Sequence, residues 1–170
     1  MRWLRRVVWA GAAAAWLVAA TAAAEPYAVG SLLPSMRIPD QHGQLRAVDE
    51  SIRVILFNRD MDGGDFIKQA LEEGGAERLV ASRAVYVADI SGMPGLVRRL
   101  IALPRMRKRP YPMLLDVEGN VTADFPGEEG RATAIFLDRL RVARIDHLEG
   151  ADAVKAALDS AVRSESPSTE

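Results

Sequence analysis

The chain has 170 residues, of which 49% are hydrophobic, and a formal net charge of −1. This length and composition suit one domain with a substantial core, and the charge balance argues against a nucleic-acid-binding protein. The chain contains no cysteine, which excludes disulfides, thiol–disulfide exchange and thiol peroxidase chemistry.

The first 24 residues have the pattern of a secretory signal peptide. Arg2, Arg5 and Arg6 precede an apolar run over residues 7–20, and small residues follow up to Ala24. We expect cleavage after Ala24 and a periplasmic or secreted protein, with no stable membrane span after cleavage. The alternative is an uncleaved segment that anchors the protein in the inner membrane. Removing residues 1–24 leaves 19 basic and 23 acidic residues, a net charge of −4.

The next residues predict an edge hairpin followed by a buried strand and a helix. Prolines 34 and 39 and the turn at residues 40–43 favour a hairpin at a sheet edge within residues 27–43. Residues 52–57 are mostly β-branched or aliphatic, which predicts a central strand. Apolar residues then recur at helical spacing from Phe66 until two glycines at 74 and 75.

A second strand and a second helix follow. After a short helical turn at residues 76–82, residues 84–90 predict another apolar strand. Residues 91–95 then open a helix, which we expect to end at Pro104. The apolar positions of this helix are Leu96, Val97, Leu100 and Ile101.

The rest of the chain predicts an insertion, a hairpin and a final helix. Residues 113–117 and 121–125 indicate an inserted strand-and-turn unit, and residues 134–145 a β-hairpin. A helix follows Gly150, and residues 164–170 predict a disordered tail. The order gives an α/β fold of βαβαββα plan over residues 25–163, a mixed central sheet with helices on both faces.

Three stretches resemble the thioredoxin superfamily, in particular its peroxiredoxin and TlpA-like reductase branch: residues 29–43, 111–121 and 131–138. The resemblance implies a thioredoxin-like fold. It also places Arg131 where peroxiredoxins carry the arginine that faces their cysteine. The helix start that bears this cysteine in the family reads Asp-Met-Asp-Gly-Gly-Asp at residues 60–65, so the resemblance does not imply thiol chemistry.

The chain also resembles small exported bacterial proteins of this fold that lack cysteine, the YtfJ type, over residues 97–112 and the final hairpin. Some similar short proteins carry the name FAD/FMN-containing dehydrogenase. The function of these similar proteins is uncharacterised, so this second resemblance implies no particular activity. The name that some of them carry implies a bound flavin as the alternative.

The turn before the first helix offers two candidate sites. Asp60, Asp62 and Asp65 can form a cup for a divalent cation, although their spacing does not match a calcium loop. The alternative is that Asp62 caps the helix and Asp65 complements its dipole. The backbone N–H groups of Gly63 and Gly64 can bind an anion in a helix-start pocket formed by Asp60, Asp62, Gly63, Gly64 and Arg131, but the carboxylates would repel it.

A basic loop provides the third candidate. Six cations lie within twelve residues, from Arg98 to Arg109, and Tyr111 is adjacent. This cluster can bind a small anion, a phospholipid headgroup or a protein, or it can be a solvated surface. The candidate binding residues are Arg105, Arg107, Lys108, Arg109 and Tyr111.

No catalytic group can be assigned from the sequence. His42 and His147 lie outside any motif with ligand spacing, and no serine has a nucleophile-elbow context. We therefore predict a non-catalytic binding or accessory protein without a cofactor, whose partner is a protein or a small anion. The alternative is a flavin-dependent oxidoreductase, or an accessory of one, that binds FAD or FMN.

Overall fold

The computed structural model describes residues 25–165, so the predicted signal peptide at residues 1–24 and residues 166–170 lie outside the described part. The strands are β1 (Met36–Pro39), β2 (Leu45–Val48), β3 (Val54–Asn58), β4 (Ala84–Asp89), β5 (Met113–Asp116), β6 (Ala132–Asp138) and β7 (Arg141–Leu148). The helices are α1 (Met61–Ala70), α2 (Gly75–Ala81), α3 (Gly95–Val97), a π-helical turn (Arg98–Ala102), α4 (Leu103–Met106) and α5 (Ala151–Glu165).

Five strands form the central sheet in the order β5-β4-β3-β6-β7. β4 runs parallel to β3 and β5, whereas β6 runs antiparallel to β3 and β7. All five residues of β3 are buried, which confirms the predicted central strand. The predicted mixed α/β architecture is therefore confirmed, as is the terminal hairpin of β6 and β7.

The side chains of β3 alternate between two hydrophobic clusters on opposite faces of the sheet. Val54 and Leu56 pack with residues of α1, α2 and α5 in the first cluster. Ile55 and Phe57 pack in the second, against the N-terminal segment and the β1–β2 hairpin. We predicted helices on both faces, but within residues 25–165 the second cluster contains no helical residue. The chain before β3 covers that face instead.

The predicted inserted unit is corrected in two respects. β5 belongs to the central sheet, where it pairs in parallel with β4 from Tyr86↔Met113 to Asp89↔Asp116. Residues 121–125 form turns rather than a strand. The cause is the buried carboxylate of Asp116, which accepts hydrogen bonds from the backbone N–H groups of residues 118, 119, 121 and 122 and from the Thr122 hydroxyl. These bonds fold the chain around the carboxylate.

The N-terminal hairpin lies further along the chain than predicted. β1 and β2 form a separate two-stranded antiparallel sheet over residues 36–48, and the predicted turn connects them. The Asp40 carboxylate stabilises this turn by accepting hydrogen bonds from the backbone N–H groups of His42 and Gln44, both at 2.9 Å. The residues before β1 reach the main sheet through a bridge between Leu32 and Arg141.

Pro104 does not end the third helical region, contrary to the prediction. The helical residues continue to Met106, and the π-helical turn ends at Ala102, two residues before the proline. The N–H of Leu103 donates to the carbonyl of Arg98, five residues earlier, so the turn is widened where Pro104 has no N–H to offer. We call residues 95–106 the third helical segment.

The final helix extends slightly beyond its predicted end. α5 includes Ser164 and Glu165, which the sequence analysis assigns to the tail. Within residues 25–165, no helix is both long and apolar enough to cross a lipid bilayer.

Candidate functional site

A groove with a volume of about 690 Å³ lies between the start of α1, the end of β4 and the third helical segment. β3 and β4 are parallel, so their carboxyl ends meet at this edge of the sheet, where α/β folds commonly bind ligands. Met61, Met93, Met106 and Met113 line it, four of the six methionines in the chain. We call it the methionine groove.

The floor of the methionine groove is part of the first hydrophobic cluster. Tyr86 and Ala88 of β4 and Met113 of β5 line the groove and belong to this cluster. Burial raises the pKa of Tyr86 far above its ordinary value, and the neighbouring Tyr111 raises it further. The phenol is therefore a neutral group at physiological pH and cannot serve as a base.

The walls of the groove expose large apolar side chains. Val97 and Ile101 of the third helical segment are 42% and 47% exposed, and Met61 at the start of α1 is 77% exposed. Leu96 and Leu100, the other two predicted apolar positions of this segment, are also exposed. Contiguous apolar surface of this kind typically marks an interaction site.

The rim of the groove is positively charged. Arg105 and Arg109 line it, and neither has an ion-pair partner within residues 25–165. By contrast, Arg59 pairs with Asp89 at 3.2 Å and donates to the carbonyl of Thr122 at 2.7 Å. The sequence contains no acidic residue from position 90 to 115, so no carboxylate on this segment neutralises the two arginines.

Asp89 is held in its charged form beside Arg59. Burial alone would raise the pKa of Asp89, but hydrogen bonds from Ser91 and the ion pair with Arg59 outweigh that effect and lower it. Asp89 therefore balances Arg59 and leaves Arg105 and Arg109 as the excess charge of the groove.

The predicted basic site is only partly brought together. Arg105 and Arg109 line the groove, whereas Lys108 is exposed outside it. The guanidinium of Arg107 donates to the carbonyl of Gln41 at 3.0 Å, so this side chain holds the turn between β1 and β2. Tyr111 is only 1% exposed, which contradicts its predicted docking role.

Tyr111 is instead a core residue beneath α2. Its ring lies against Gly75, where an added Cβ would be 3.2 Å from Cδ1 of the tyrosine. Its hydroxyl is buried and has no hydrogen-bond partner in the part of the chain that the structure describes. Tyr111 therefore contributes its apolar ring, and not its hydroxyl, to the first hydrophobic cluster.

At the start of α1, Asp60 rather than Asp62 caps the helix. One Asp60 carboxylate oxygen accepts from the N–H of Gly63 and the other from the N–H of Gly130, both at 2.8 Å. This carboxylate therefore joins α1 to the loop before β6. Asp62 is exposed in the first turn, where a negative charge favours the helix.

The predicted helix-start pocket is small, and its arginine is paired with acidic residues of the same chain. A cavity of about 270 Å³ lies there, lined by Asn58, Asp60 and Arg131 among others, but not by Asp62 or Gly63. The Arg131 guanidinium pairs with Glu128 at 3.3 Å and with Glu149 at 3.4 Å. Gly64 faces the methionine groove instead.

The three acidic residues considered for a metal ion do not act together. Asp60 caps the helix, Asp62 is exposed, and Asp65 forms an ion pair with Lys68. Among residues 25–165, no three metal-ligating side chains form a group that could hold a metal ion. His147 contacts the Thr133 hydroxyl at 3.2 Å.

The fold of the chain is thioredoxin-like, and no residue in it can supply the thiol of such folds. No family model and no curated protein matches the sequence. Among solved structures, it is similar to a peroxidoxin, BcpB, from Mycobacterium tuberculosis, with 21% identity over 81% of this chain and 97% of that one and a TM-score of 0.54. This similarity, at an identity below 25%, shows the fold alone.

Two further solved structures have the same fold. A hypothetical protein from Sinorhizobium meliloti 1021 is 17% identical, with 86% of this chain and 90% of that one covered and a TM-score of 0.54. A putative thiol:disulfide interchange protein, DsbE, from Chlorobium tepidum is 14% identical, with 81% and 96% covered and a TM-score of 0.53.

Proposed function

We propose that this protein is an exported, non-catalytic binding module and that its ligand occupies the methionine groove. The observation that carries this proposal is the pair of apolar walls, Val97 and Ile101 on one side and Met61 on the other, left exposed above a buried floor. Exposed apolar walls are unfavourable in water and are covered when an apolar ligand binds. The predicted signal peptide supports export.

The composition of the groove also favours binding. Its volume of about 690 Å³ lies within the range of small-molecule pockets. Methionine side chains are unbranched and polarizable, so they can repack around ligands of different shape. Four of them around one groove supply adaptable contact area rather than a rigid template.

The polar groups around the groove support a role without chemistry. Asp60 uses both carboxylate oxygens within the fold, and Asp89 is paired with Arg59. The Tyr86 phenol keeps its proton, and the chain has no cysteine. None of these groups is poised as a nucleophile or a general base.

The proposal is tested with the full chain, expressed with its own N-terminal segment and purified from the periplasmic fraction. Binding of the neutral apolar dye Nile red is measured for this protein and for the variants Ile101→Asp and Val80→Asp. Val80 is the matched control, because it is 78% exposed on α2 and does not line the groove. We expect Ile101→Asp to weaken dye binding about tenfold or more, since it places a charge in the apolar wall.

The outcomes separate the proposal from its alternatives. Equal dye binding by Ile101→Asp and the starting protein would contradict the groove as the binding site. Recovery of the protein only from the cytoplasm would contradict export. A bound flavin, recognised by its visible absorbance and its mass in native mass spectrometry, would replace the proposed function with that of a flavoprotein.

A further inference from the structure

We infer that the ligand of the methionine groove is an amphipathic anion, with an acidic head that binds Arg105 and Arg109 and a single apolar chain that covers the methionines. This inference rests on the proposed function, because it specifies the chemistry of a ligand in the same groove. It depends on the charges at the rim and on the order of side chains along one wall.

The charges that line the groove do not cancel. The lining cations are Arg59, Lys68, Arg105 and Arg109, and the lining carboxylates are Asp60 and Asp89. Arg59 is paired with Asp89, and Lys68 with Asp65. The Asp60 carboxylate is used by two backbone N–H groups. Two guanidinium groups therefore remain for an anionic ligand.

The wall formed by the third helical segment changes from apolar to charged along its length. Val97, Ile101 and Arg105 follow one another at intervals of four residues, and all three line the groove. Side chains at this interval share one side of a helix. An elongated ligand lying along this wall contacts two apolar residues and then a guanidinium, which is the order that an amphipathic anion satisfies.

Guanidinium groups also fix the chemistry of the head. They form paired, charge-assisted hydrogen bonds with carboxylates and phosphates, and these bonds are stronger beside a low-dielectric apolar surface. A neutral apolar ligand would leave both arginines without a partner. A small inorganic anion would leave the methionines, Val97 and Ile101 uncovered.

The test uses decanoate and its neutral counterpart decanol. Both are titrated calorimetrically into the protein that is expressed from the full chain and purified from the periplasmic fraction. A decyl phosphate titration distinguishes a phosphate head from a carboxylate head. The variant is Arg105→Gln together with Arg109→Gln, which removes both positive charges and leaves shorter but polar side chains. The matched control is Arg99→Gln together with Lys108→Gln, because both residues are exposed cations close to Arg105 and Arg109 in the sequence and neither lines the groove.

We expect decanoate, decyl phosphate or both to bind more tightly than decanol, and the groove variant to lose about tenfold or more of that affinity while its decanol affinity is unchanged. The control variant should keep the affinity of the starting protein. Raising the salt concentration should weaken only the anionic ligands.

The other outcomes overturn this inference in distinguishable ways. Equal affinity for decanol and the two anions would leave the proposed groove intact and contradict the anionic head. An equal loss in the control variant would indicate diffuse charge attraction instead of a site. Binding to phosphatidylglycerol vesicles without binding to any monomeric ligand would indicate a membrane surface as the partner. If neither the three ligands nor Nile red bound to the protein, the proposed function itself would be contradicted.

Discussion

The backbone of Gly63 in α1 packs directly against the backbone of Arg131, the residue immediately before β6. A Cβ atom added to Gly63 would lie 2.3 Å from the carbonyl oxygen of Arg131 and 2.6 Å from its carbonyl carbon. Both atoms belong to the main chain and cannot rotate away. The glycine therefore determines how closely the first helix approaches the sheet.

We predict that Gly63→Ala destabilises the protein by about 1–3 kcal/mol or more, because the helix must move away from β6 to accept the methyl group. The free energy of unfolding from urea titration measures this effect. Gly92→Ala is the matched control, since an added Cβ at Gly92 meets nothing within 4 Å. Equal stability of the two variants would contradict the close contact.

Asp60→Ala should cost about 1–2 kcal/mol, because it removes the helix cap and the hydrogen bond to the N–H of Gly130. Asp62→Ala should cost only a few tenths of a kcal/mol, since Asp62 acts through the helix dipole alone. Thermal or urea unfolding of both variants distinguishes the two residues. A larger loss for Asp62→Ala would restore the sequence prediction that Asp62 is the cap.

Tyr111→Phe should leave the stability unchanged or raise it by about 1 kcal/mol. The Tyr111 hydroxyl is buried, and within residues 25–165 it has no hydrogen-bond partner. Removing the hydroxyl therefore removes a desolvation free energy that no hydrogen bond offsets. Tyr111→Ala, by contrast, should cost about 3–5 kcal/mol through the cavity it leaves. A clear loss of stability in Tyr111→Phe would show that the hydroxyl has a partner.

The stability of the protein should fall in acid partly because of Asp40. Burial alone would raise the pKa of Asp40, but the N–H groups of Gln44 and His42 and the guanidinium of Arg46 outweigh it, so the pKa lies below its ordinary value of 3.8. The unfolded chain then takes up this proton at higher pH than the folded chain. The stabilisation is complete above about pH 5 and is lost as the pH falls through the lowered pKa.

Asp40→Asn tests this effect, because asparagine does not ionise. The variant should be less stable at neutral pH and should lose less stability on acidification, as measured by urea unfolding between about pH 7 and pH 3. Glu50→Gln, at an exposed position in a turn, is the control and should follow the starting protein. If Asp40→Asn and the starting protein lost the same stability on acidification, carboxylates other than Asp40 would determine the acid sensitivity.

The fold could be predicted because its strands and helices carry strong local patterns. β3 is a short apolar run that is buried on both faces, and the apolar residues of α5 recur at helical spacing. The position of β5 could not be predicted. The sequence assigns residues 113–117 and 121–125 to an inserted strand-and-turn unit, whereas the hydrogen bonds to Asp116 fold the later residues into turns that do not pair with β5.

The candidate site was predicted only in part because its residues are distant in the sequence. Arg105 and Arg109 belonged to the predicted basic site, since clustered cations are visible in a sequence. Met61 lies in α1, Met93 in the loop after β4 and Met113 in β5, and they come together only in the folded protein. The one available signal was the third helical segment, whose apolar positions lie within a stretch of the sequence without acidic residues.

The cap at α1 bears on any attempt to give this protein a reactive thiol. A cysteine at a helix N-terminus is activated because the positive end of the helix dipole favours the thiolate. Here the carboxylate of Asp60 already occupies that end of the helix and is tied to Gly130 as well. A cysteine introduced at the exposed Met61 would thus meet a compensated dipole, and a single substitution would install the sulfur atom without the field that makes it a nucleophile.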